Sequence, residues 1–254
     1  SRLRARNLAV GWPGGPVVAE GIDLDLGPGD RLAVVGPSGI GKTTLLLTLA
    51  GMLRPRAGEL TPVSYTHLTL AGAAPWGAAR GEVAERVSLT AEDAHVFSTS
   101  VLENLRVARG SVSRPEAADL LERAGLGPWL TALPEGLDTT VGPDATTLSG
   151  GERRRLLLAR ALAAPAPLML LDEPGEHLDA AAADRLVADL LDADASRGVL
   201  LVTHRLSALA GADRVLVMGR PAPDRPAGVL RRGTHAALAD HDDAYRWALS
   251  QEEQ

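Results

Sequence analysis

The sequence predicts an α/β fold, in which a parallel sheet is joined by an antiparallel β layer and by an inserted block of helices. The first observation is a glycine-rich loop over residues 36–43, between an apolar run and a helical pattern. The second is an apolar run over 168–171 that ends in two carboxylates. The third is the helical pattern of residues 98–163, which interrupts the strand-rich part of the chain.

Two strands are predicted near the start of the chain, because residues 2–10 and 17–26 alternate apolar and polar side chains. Pro13, Gly14, Gly15 and Pro16 form the turn that joins them into an antiparallel pair. Trp12 stands just before this turn and has two interpretations, a core residue or an exposed ring that stacks on a base. Composition alone favours the core.

The loop over residues 36–43 fits the pattern G-x-x-x-x-G-K-[ST], which wraps nucleotide phosphates. A buried strand over 31–35 enters it, and a helix over 44–50 leaves it. The glycines let backbone N–H groups converge on an anion at a helix N-terminus. Lys42 would then reach the β- and γ-phosphates, and Thr43 would ligate Mg²⁺. The residues predicted to hold the nucleotide here are Gly36, Ser38, Gly39, Gly41, Lys42, Thr43 and Thr44.

Lys42 is the only lysine among the 26 basic residues of the chain, and the others are arginines. A planar guanidinium cannot replace a compact ammonium inside a closed phosphate loop, which explains the exception. The alternative is a glycine-rich turn that contains G-K-T by chance. Residue frequencies put such a match at roughly one per cent for a chain of this length.

The stretch over 52–80 is the least readable, although a strand begins near Gly58. Residues 63–69 differ in composition from the rest of the chain. Three interpretations are open: a hairpin, an insertion or an artefact of the sequence. No function is predicted for residues 61–80. A further strand is predicted over 83–90.

Carboxylates follow the apolar run 168–171, where Asp172 and Glu173 stand at the end of a predicted buried strand. His204 directly follows a second predicted apolar strand, over 199–203. Ligands bind at the carboxyl edge of such sheets, so these three side chains are candidate site residues. The alternatives are a solvated turn before Pro174 and a capped strand end. The remaining predicted elements are a helix over 179–192, a strand over 214–218 and a helical tail over 233–250.

Residues 148–152 read Leu-Ser-Gly-Gly-Glu, in which Ser149 and Glu152 form a capping box. A well-capped helix is therefore one interpretation. Two glycines in a first turn weaken a helix by ~1 kcal/mol each, however. Gly150 and Gly151 are accounted for if this backbone contacts a phosphate.

Composition narrows the function classes of this 254-residue chain. A net charge of −6 argues against a nucleic-acid partner. The absence of cysteine excludes disulfides and thiolate metal sites. No run of 18 apolar residues is present, and no apolar segment follows the basic N-terminus to make a signal peptide.

The ordered motifs resemble the ATP-binding domain of an ABC transporter of the exporter type, over almost the whole chain. Residues 36–43 resemble Walker A, 148–152 the signature and 168–173 Walker B. The resemblance implies a RecA-like P-loop NTPase core over 1–97 and 166–254 and a helical subdomain over about 98–165, in a single domain of residues 1–254. It also implies that a transmembrane domain, N-terminal to this one, lies outside the chain.

The resemblance assigns roles to single residues. Glu173 resembles the general base and His204 the switch histidine, and Lys42 completes the catalytic set. Thr43, Asp172 and Glu92 are expected to hold Mg²⁺. Trp12 resembles the aromatic residue that stacks on adenine, and this changes the interpretation of Trp12 from core to stacking. Glu92 stands where the family has a glutamine, and Glu152 ends the signature in place of glutamine.

Partners also follow from the resemblance. Ser149, Gly150 and Gly151 would cover ATP that is bound by a second such domain, in a head-to-tail dimer with a different chain. The assembly would act on a transmembrane domain at the cytoplasmic face of the cell membrane. Finer detail is similar to the CydC half of thiol exporters, which move cysteine or glutathione for cytochrome bd assembly. The alternatives are a stand-alone importer ATPase, a soluble ABC ATPase and a P-loop kinase.

Overall fold

The computed structural model describes residues 2–63, 83, 85–90, 95–142, 147–176, 178–192 and 196–252. The chain divides into two compact units. The first unit contains 1–89, 166–173 and 190–254, and the second contains 90–165 and 174–189.

The secondary structure alternates strands with short helices along the chain. The strands are β1 (Arg2–Val10), β2 (Ala19–Leu26), β3 (Arg31–Val35), β4 (Ala57–Val63), β5 (Val87–Thr90), β6 (Thr99–Ser100), β7 (Thr140–Val141), β8 (Leu168–Asp172), β9 (Gly198–Val202), β10 (Arg214–Gly219) and β11 (Gly228–Gly233). The helices are α1 (Lys42–Leu49), α2 (Val101–Arg106), α3 (Arg114–Arg123), α4 (Gly127–Ala132), α5 (Gly150–Ala163), α6 (Ala180–Asp192), α7 (His235–His241) and α8 (Asp243–Glu252).

The main sheet of the first unit has the strand order β11-β10-β3-β9-β8-β5. Strands β10, β3, β9 and β8 run parallel, and Leu200 pairs with both Leu32 and Leu170. All five residues of β3 and of β9 are buried, as expected for a parallel sheet that is covered on both faces. The carboxyl ends of β3, β9 and β8 therefore lie side by side at one edge.

A second sheet of the first unit is antiparallel, with the order β2-β1-β4. The apolar side of this layer, which includes Leu3, Leu24 and Leu26, joins the same core as Leu45 and Leu46 of α1. On the polar side, Arg2 and Arg4 both pair with Asp25, at 2.7 and 2.8 Å. The predicted antiparallel layer is confirmed.

The second unit contains the short strand pair β6 and β7 and helices α2 to α5, together with most of α6. Helix α3 begins at a complete capping box formed by Ser113 and Glu116. The buried amide of Asn104 accepts from Phe97 N at 3.0 Å and donates to Phe97 O at 3.0 Å. These contacts fix the segment that leads into α2.

The predicted strands and helices are present, with shifts of a few residues at their ends. Strand β5 begins at Val87, four residues later than predicted. Strands β6, β7 and β11 were not predicted, and β6 and β7 interrupt the block of residues 98–163 that was predicted to be helical. The helical tail is two helices that are separated at Asp242. The interpretation of residues 63–69 falls almost wholly outside the described residues. The proposed boundaries of the core and the helical subdomain stay a prediction.

Candidate functional site

The loop between β3 and α1 has a backbone that requires glycine. Gly36, Gly39 and Gly41 have φ angles of 151°, 72° and 101°, which side chains disfavour. A Cβ on Gly36 would lie 2.5 Å from the Met218 carbonyl oxygen. One on Gly41 would lie 2.8 Å from Val18 Cγ1. The sequence therefore forms this loop only because glycines occupy these positions.

Lys42 is the first residue of α1 and is only 9% exposed. Its ammonium donates to the carbonyl oxygens of Gly36 at 2.7 Å and Pro37 at 2.9 Å. Burial lowers the pKa of Lys42, and the carboxylates of Glu173 and Asp172 oppose that shift. A cation is thus held inside the loop and near two acids.

The N-terminus of α1 is suited to an anion. Gly41 is the N-cap residue and offers no side-chain acceptor, and the first turn contains no acid. Thr43 is exposed, whereas Thr44 is buried. Thr43 is therefore the residue of this pair whose hydroxyl can reach a metal ion from solvent.

Glu173 and His204 contact each other beyond the ends of β8 and β9. Oε2 of Glu173 lies 2.9 Å from His204 Nδ1 and accepts from His204 N at 3.2 Å. The Glu173 side chain is 22% exposed and that of His204 is 63% exposed. Burial raises the pKa of Glu173, and His204 and Lys42 oppose this. The arrangement gives a carboxylate that is more basic than an exposed glutamate.

Glu173 has a φ angle of 45°, and Asn7 is the only other described residue besides glycine with a positive φ. Such a conformation costs roughly 1–3 kcal/mol and must be held by its surroundings. Glu173 N donates to Val202 O at 2.9 Å, and the His204 contacts hold the side chain. Strain of this kind is concentrated at functional sites.

Asp172 is the last residue of β8 and is half-buried opposite Val202 of β9. The described residues contain no group of three acids, histidines or cysteines that could cage a metal ion. Mg²⁺ needs no such cage, because it is usually held by one or two carboxylates together with phosphate oxygens. Asp172 supplies a carboxylate and Thr43 a hydroxyl oxygen, and this pair of oxygen donors fits Mg²⁺. Glu92 lies outside the described residues.

Trp12 lies in the turn between β1 and β2 and is 54% exposed. Its carbonyl accepts from Gly15 N at 3.0 Å, which closes the turn. Val18, at the end of this segment, is the residue whose side chain lies against Gly41. The core interpretation of Trp12 is wrong, because the ring faces solvent.

In the second unit, Ser149 begins α5 through the predicted capping box. Ser149 N donates to Glu152 Oε2 at 2.8 Å, and Glu152 N donates to Ser149 Oγ at 3.2 Å. A Cβ on Gly150 would meet no described atom within 4 Å, apart from its neighbours Ser149 and Gly151 and the nearby backbone of its own helix. Neither packing within the described chain nor a positive φ explains the glycine there.

A family model described as ABC transporter matches residues 19–176. The chain belongs to the ABC transporter family. RamB of Streptomyces coelicolor, an ABC transporter ATP-binding protein, is 40% identical over 245 residues, which are 96% of this chain and 37% of RamB. The glutathione/L-cysteine transport system ATP-binding/permease protein CydC of Escherichia coli is 34% identical over 226 residues, covering 89% and 37%. The ATP-dependent lipid A-core flippase of Photobacterium profundum is 32% identical over 245 residues, covering 96% and 40%.

A solved structure of a bacterial Atm1-family ABC exporter with ATP bound matches the fold, with a TM-score of 0.82 at 24% identity. The match covers 100% of this ABC domain and 42% of the exporter chain. The domain spans about two fifths of the length of the curated relatives quoted above. The predicted P-loop NTPase fold and membership in an ATP-hydrolysing family are confirmed. Among the described helices of this ABC domain, none is long and apolar enough to span a bilayer.

Two features of the ABC domain were missed from the sequence. The carbonyls of Gly36 and Pro37 hold the lysine, and backbone acceptors leave no trace in a sequence pattern. Arg154 of α5 also forms an ion pair with Glu176, which follows Walker B. The two residues are 22 positions apart, so neither helical nor strand periodicity connects them. The roles of the individual site residues stay predictions.

Proposed function

We propose that this chain binds Mg²⁺-ATP in the loop over residues 36–44, hydrolyses it and thereby powers an ABC exporter. The observation that carries the proposal is the buried ammonium of Lys42 between two loop carbonyls and two acids. A glycine-rich turn that contains G-K-T by chance is not expected to bury its lysine near a glutamate with a strained backbone. Family membership supports ATP as the nucleotide.

The loop residues bind the triphosphate through their backbone N–H groups, and the positive end of α1 adds to the attraction. Lys42 exchanges its two carbonyl contacts for phosphate oxygens. When bound, Mg²⁺ would supply charge neutralisation at the β- and γ-phosphates. Thr43, Asp172 and Glu92 would hold it, directly or through water. The Trp12 ring stacks on adenine.

Glu173 accepts a proton from the water that attacks the γ-phosphate. Its raised pKa supports this role, because a general base works best with a pKa closer to the operating pH. His204 holds the carboxylate through the 2.9 Å contact at Nδ1 and contacts the γ-phosphate. The strained backbone of Glu173 keeps the carboxylate aimed before the substrate arrives.

The active assembly is a head-to-tail dimer with a second ABC domain, on a different chain. Ser149, Gly150 and Gly151 cover the nucleotide that the partner domain holds. The open space around Gly150 supports this assignment, since a side chain there would obstruct a ligand rather than the fold. Closure of the dimer acts on a transmembrane domain at the cytoplasmic face of the membrane.

The cargo that we propose is a small thiol such as cysteine or glutathione, as the name of the 34% identical CydC states for that protein. Relatives that are lipid A-core flippases favour a lipid as the second candidate. The test is stimulation of ATP hydrolysis in the full-length transporter in proteoliposomes. Stimulation by glutathione or cysteine supports the first cargo, and stimulation by lipid A alone excludes it.

A stand-alone importer subunit and a soluble ABC ATPase remain the alternatives for the whole protein. The residues encoded before Ser1 distinguish them from an exporter half. Six apolar spans in the same polypeptide support the exporter, and their absence from the complete gene overturns that part of the proposal.

The ATPase itself is tested by phosphate release from the full-length transporter with this chain as wild type or as Lys42→Ala. We expect release that depends on Mg²⁺ in the wild type and falls to background in the variant. Arg114→Ala is the matched control, because it also removes a cation, from an exposed ion pair with Asp138. Equal release by the wild type and Lys42→Ala contradicts the proposal.

A further inference from the structure

The carboxylate of Glu252, the last residue of α8, contacts the backbone just after His204. Leu206 N donates to Glu252 Oε1 at 2.7 Å and to Oε2 at 3.0 Å. Ser207 N donates to Oε2 at 3.0 Å. One carboxylate thus holds two consecutive N–H groups that lie two and three residues beyond the histidine.

The stability of α8 does not explain a glutamate at this position. Negative charge at a helix C-terminus is unfavourable, because the last carbonyls already carry partial negative charge. Consecutive N–H groups in a turn form a small anion-binding concavity, and hydrogen bonds to a carboxylate are among the strong ones. The contact with the loop therefore compensates a charge that the helix itself disfavours.

The other end of α8 is anchored, so Glu252 sits on a fixed element. Asp242 accepts from the N–H groups of Ala244 and Tyr245, each at 3.0 Å, and so caps the helix. Tyr245 is buried, and its hydroxyl lies 2.9 Å from His235 Nδ1. Burial and then the Glu252 charge raise the pKa of Tyr245. Glu252 lies seven positions after Tyr245, about two helical turns, which places both on one helix face.

The loop that carries His204 is held from both sides. Before the histidine, buried Thr203 donates its N–H to Val34 O at 3.2 Å. After it, Glu252 holds Leu206 and Ser207. Apart from its contact with Glu173, the His204 side chain is largely exposed, so its position depends on this backbone.

We propose that Glu252 is a positioning residue for His204: it fixes the backbone of residues 204–207 and so keeps the imidazole against Glu173. The inference rests on the proposed function, because it assigns His204 a part in ATP hydrolysis. In this proposal the end of the last helix influences ATP hydrolysis through the loop that carries His204, without contacting ATP.

The test compares Glu252→Gln and Glu252→Ala with the wild type in the 254-residue chain. Hydrogen exchange of the nucleotide-free protein is the first measurement. The Leu206 and Ser207 amides should exchange at least about tenfold faster, as expected when a hydrogen bond to a charged group is lost. The Leu201 and Val202 amides of β9 should keep their protection. Asp240→Asn, which removes an exposed carboxylate on α7, is the control and should change neither set.

Steady-state ATP hydrolysis by the full-length transporter, in which the proposed dimer is assembled, is the second measurement. We expect kcat to fall roughly tenfold in the Glu252 variants with KM for ATP unchanged, since small misplacement of a reacting group costs up to ~10²-fold. Faster exchange with wild-type kcat reduces the contact to a structural one and overturns the inference. A lower kcat without the local exchange change overturns it as well. Normal turnover in Glu173→Gln instead refutes the proposed function, so the two failures are distinguishable.

Discussion

Replacing Glu173 by glutamine tests the catalytic assignment with almost no change in shape. Glutamine keeps the size of the side chain and can keep the φ angle of 45°, but it cannot accept the proton of the attacking water. A general base contributes typically 10²–10⁴-fold to a rate, so we expect kcat to fall by about 10³-fold. ATP binding should be retained, because the phosphate loop and Lys42 are untouched.

The same substitution should stabilise the nucleotide-free chain. Burial raises the folded pKa of Glu173 above its ordinary value of 4.5, which means that the ionised form is disfavoured in the fold. Ionised Glu173 therefore costs stability as the pH rises from about 4.5 through the folded pKa. Neutral glutamine removes this cost and should raise Tm, by roughly 2–4 °C for each kcal/mol of stability gained. The gain should be present at pH 7.5 and vanish near pH 4.

Three measurements check this prediction: phosphate release by the full-length transporter and, for this chain alone, calorimetric titration with Mg²⁺-ATP and thermal unfolding without nucleotide at the two pH values. Glu20→Gln, an exposed glutamate of β2, is the matched control and should leave all three unchanged. Phosphate release at the wild-type rate would remove Glu173 as the base. A lower Tm at pH 7.5 would refute the electrostatic argument.

Three further predictions test the loop, the tryptophan and the signature. Gly36→Ala should lower the free energy of unfolding by about 2 kcal/mol or more, because its Cβ would meet a backbone carbonyl. The control Gly110→Ala adds its Cβ in open space and should stay within ~0.5 kcal/mol of the wild type in thermal unfolding. Trp12→Ala should weaken ATP binding by ~1–3 kcal/mol in a titration with little effect on Tm, and unchanged affinity contradicts stacking. Ser149→Ala and Ser113→Ala each remove a capping box and should lower stability by ~1 kcal/mol. Only Ser149→Ala should reduce ATP hydrolysis, and equal activities of the two variants would contradict the signature assignment.

The fold could be predicted where the pattern is local. Buried parallel strands such as β3 and β9 are uninterrupted apolar runs, and the phosphate loop has a fixed spacing of glycines around Lys42. Strand β11 could not be recognised, because it contains two arginines and two glycines and pairs at the sheet edge with β10. Its identity as a strand depends on its partner rather than on its own residues.

The candidate site was predicted for similar reasons, since Asp172, Glu173 and His204 end apolar strands that meet at one edge. The contact between Glu173 and His204 and the strain at Glu173 required coordinates. The contact of Glu252 also required coordinates, because its partners are backbone N–H groups 45 and 46 positions earlier in the chain. Composition misled on Trp12, because tryptophan is buried in most proteins but stands in an exposed turn here.

Calorimetric titration of the chain with ATP, in the presence and absence of Mg²⁺, tests most directly whether the loop around Lys42 holds the nucleotide. We predict saturable binding at one site per chain in the wild type, tighter with Mg²⁺, and an affinity at least ~10-fold lower in Lys42→Ala, since a charge-assisted contact with phosphate contributes about 1.5–3 kcal/mol. The absence of binding to the folded wild type even at high Mg²⁺, or equal binding by the two proteins, would contradict it.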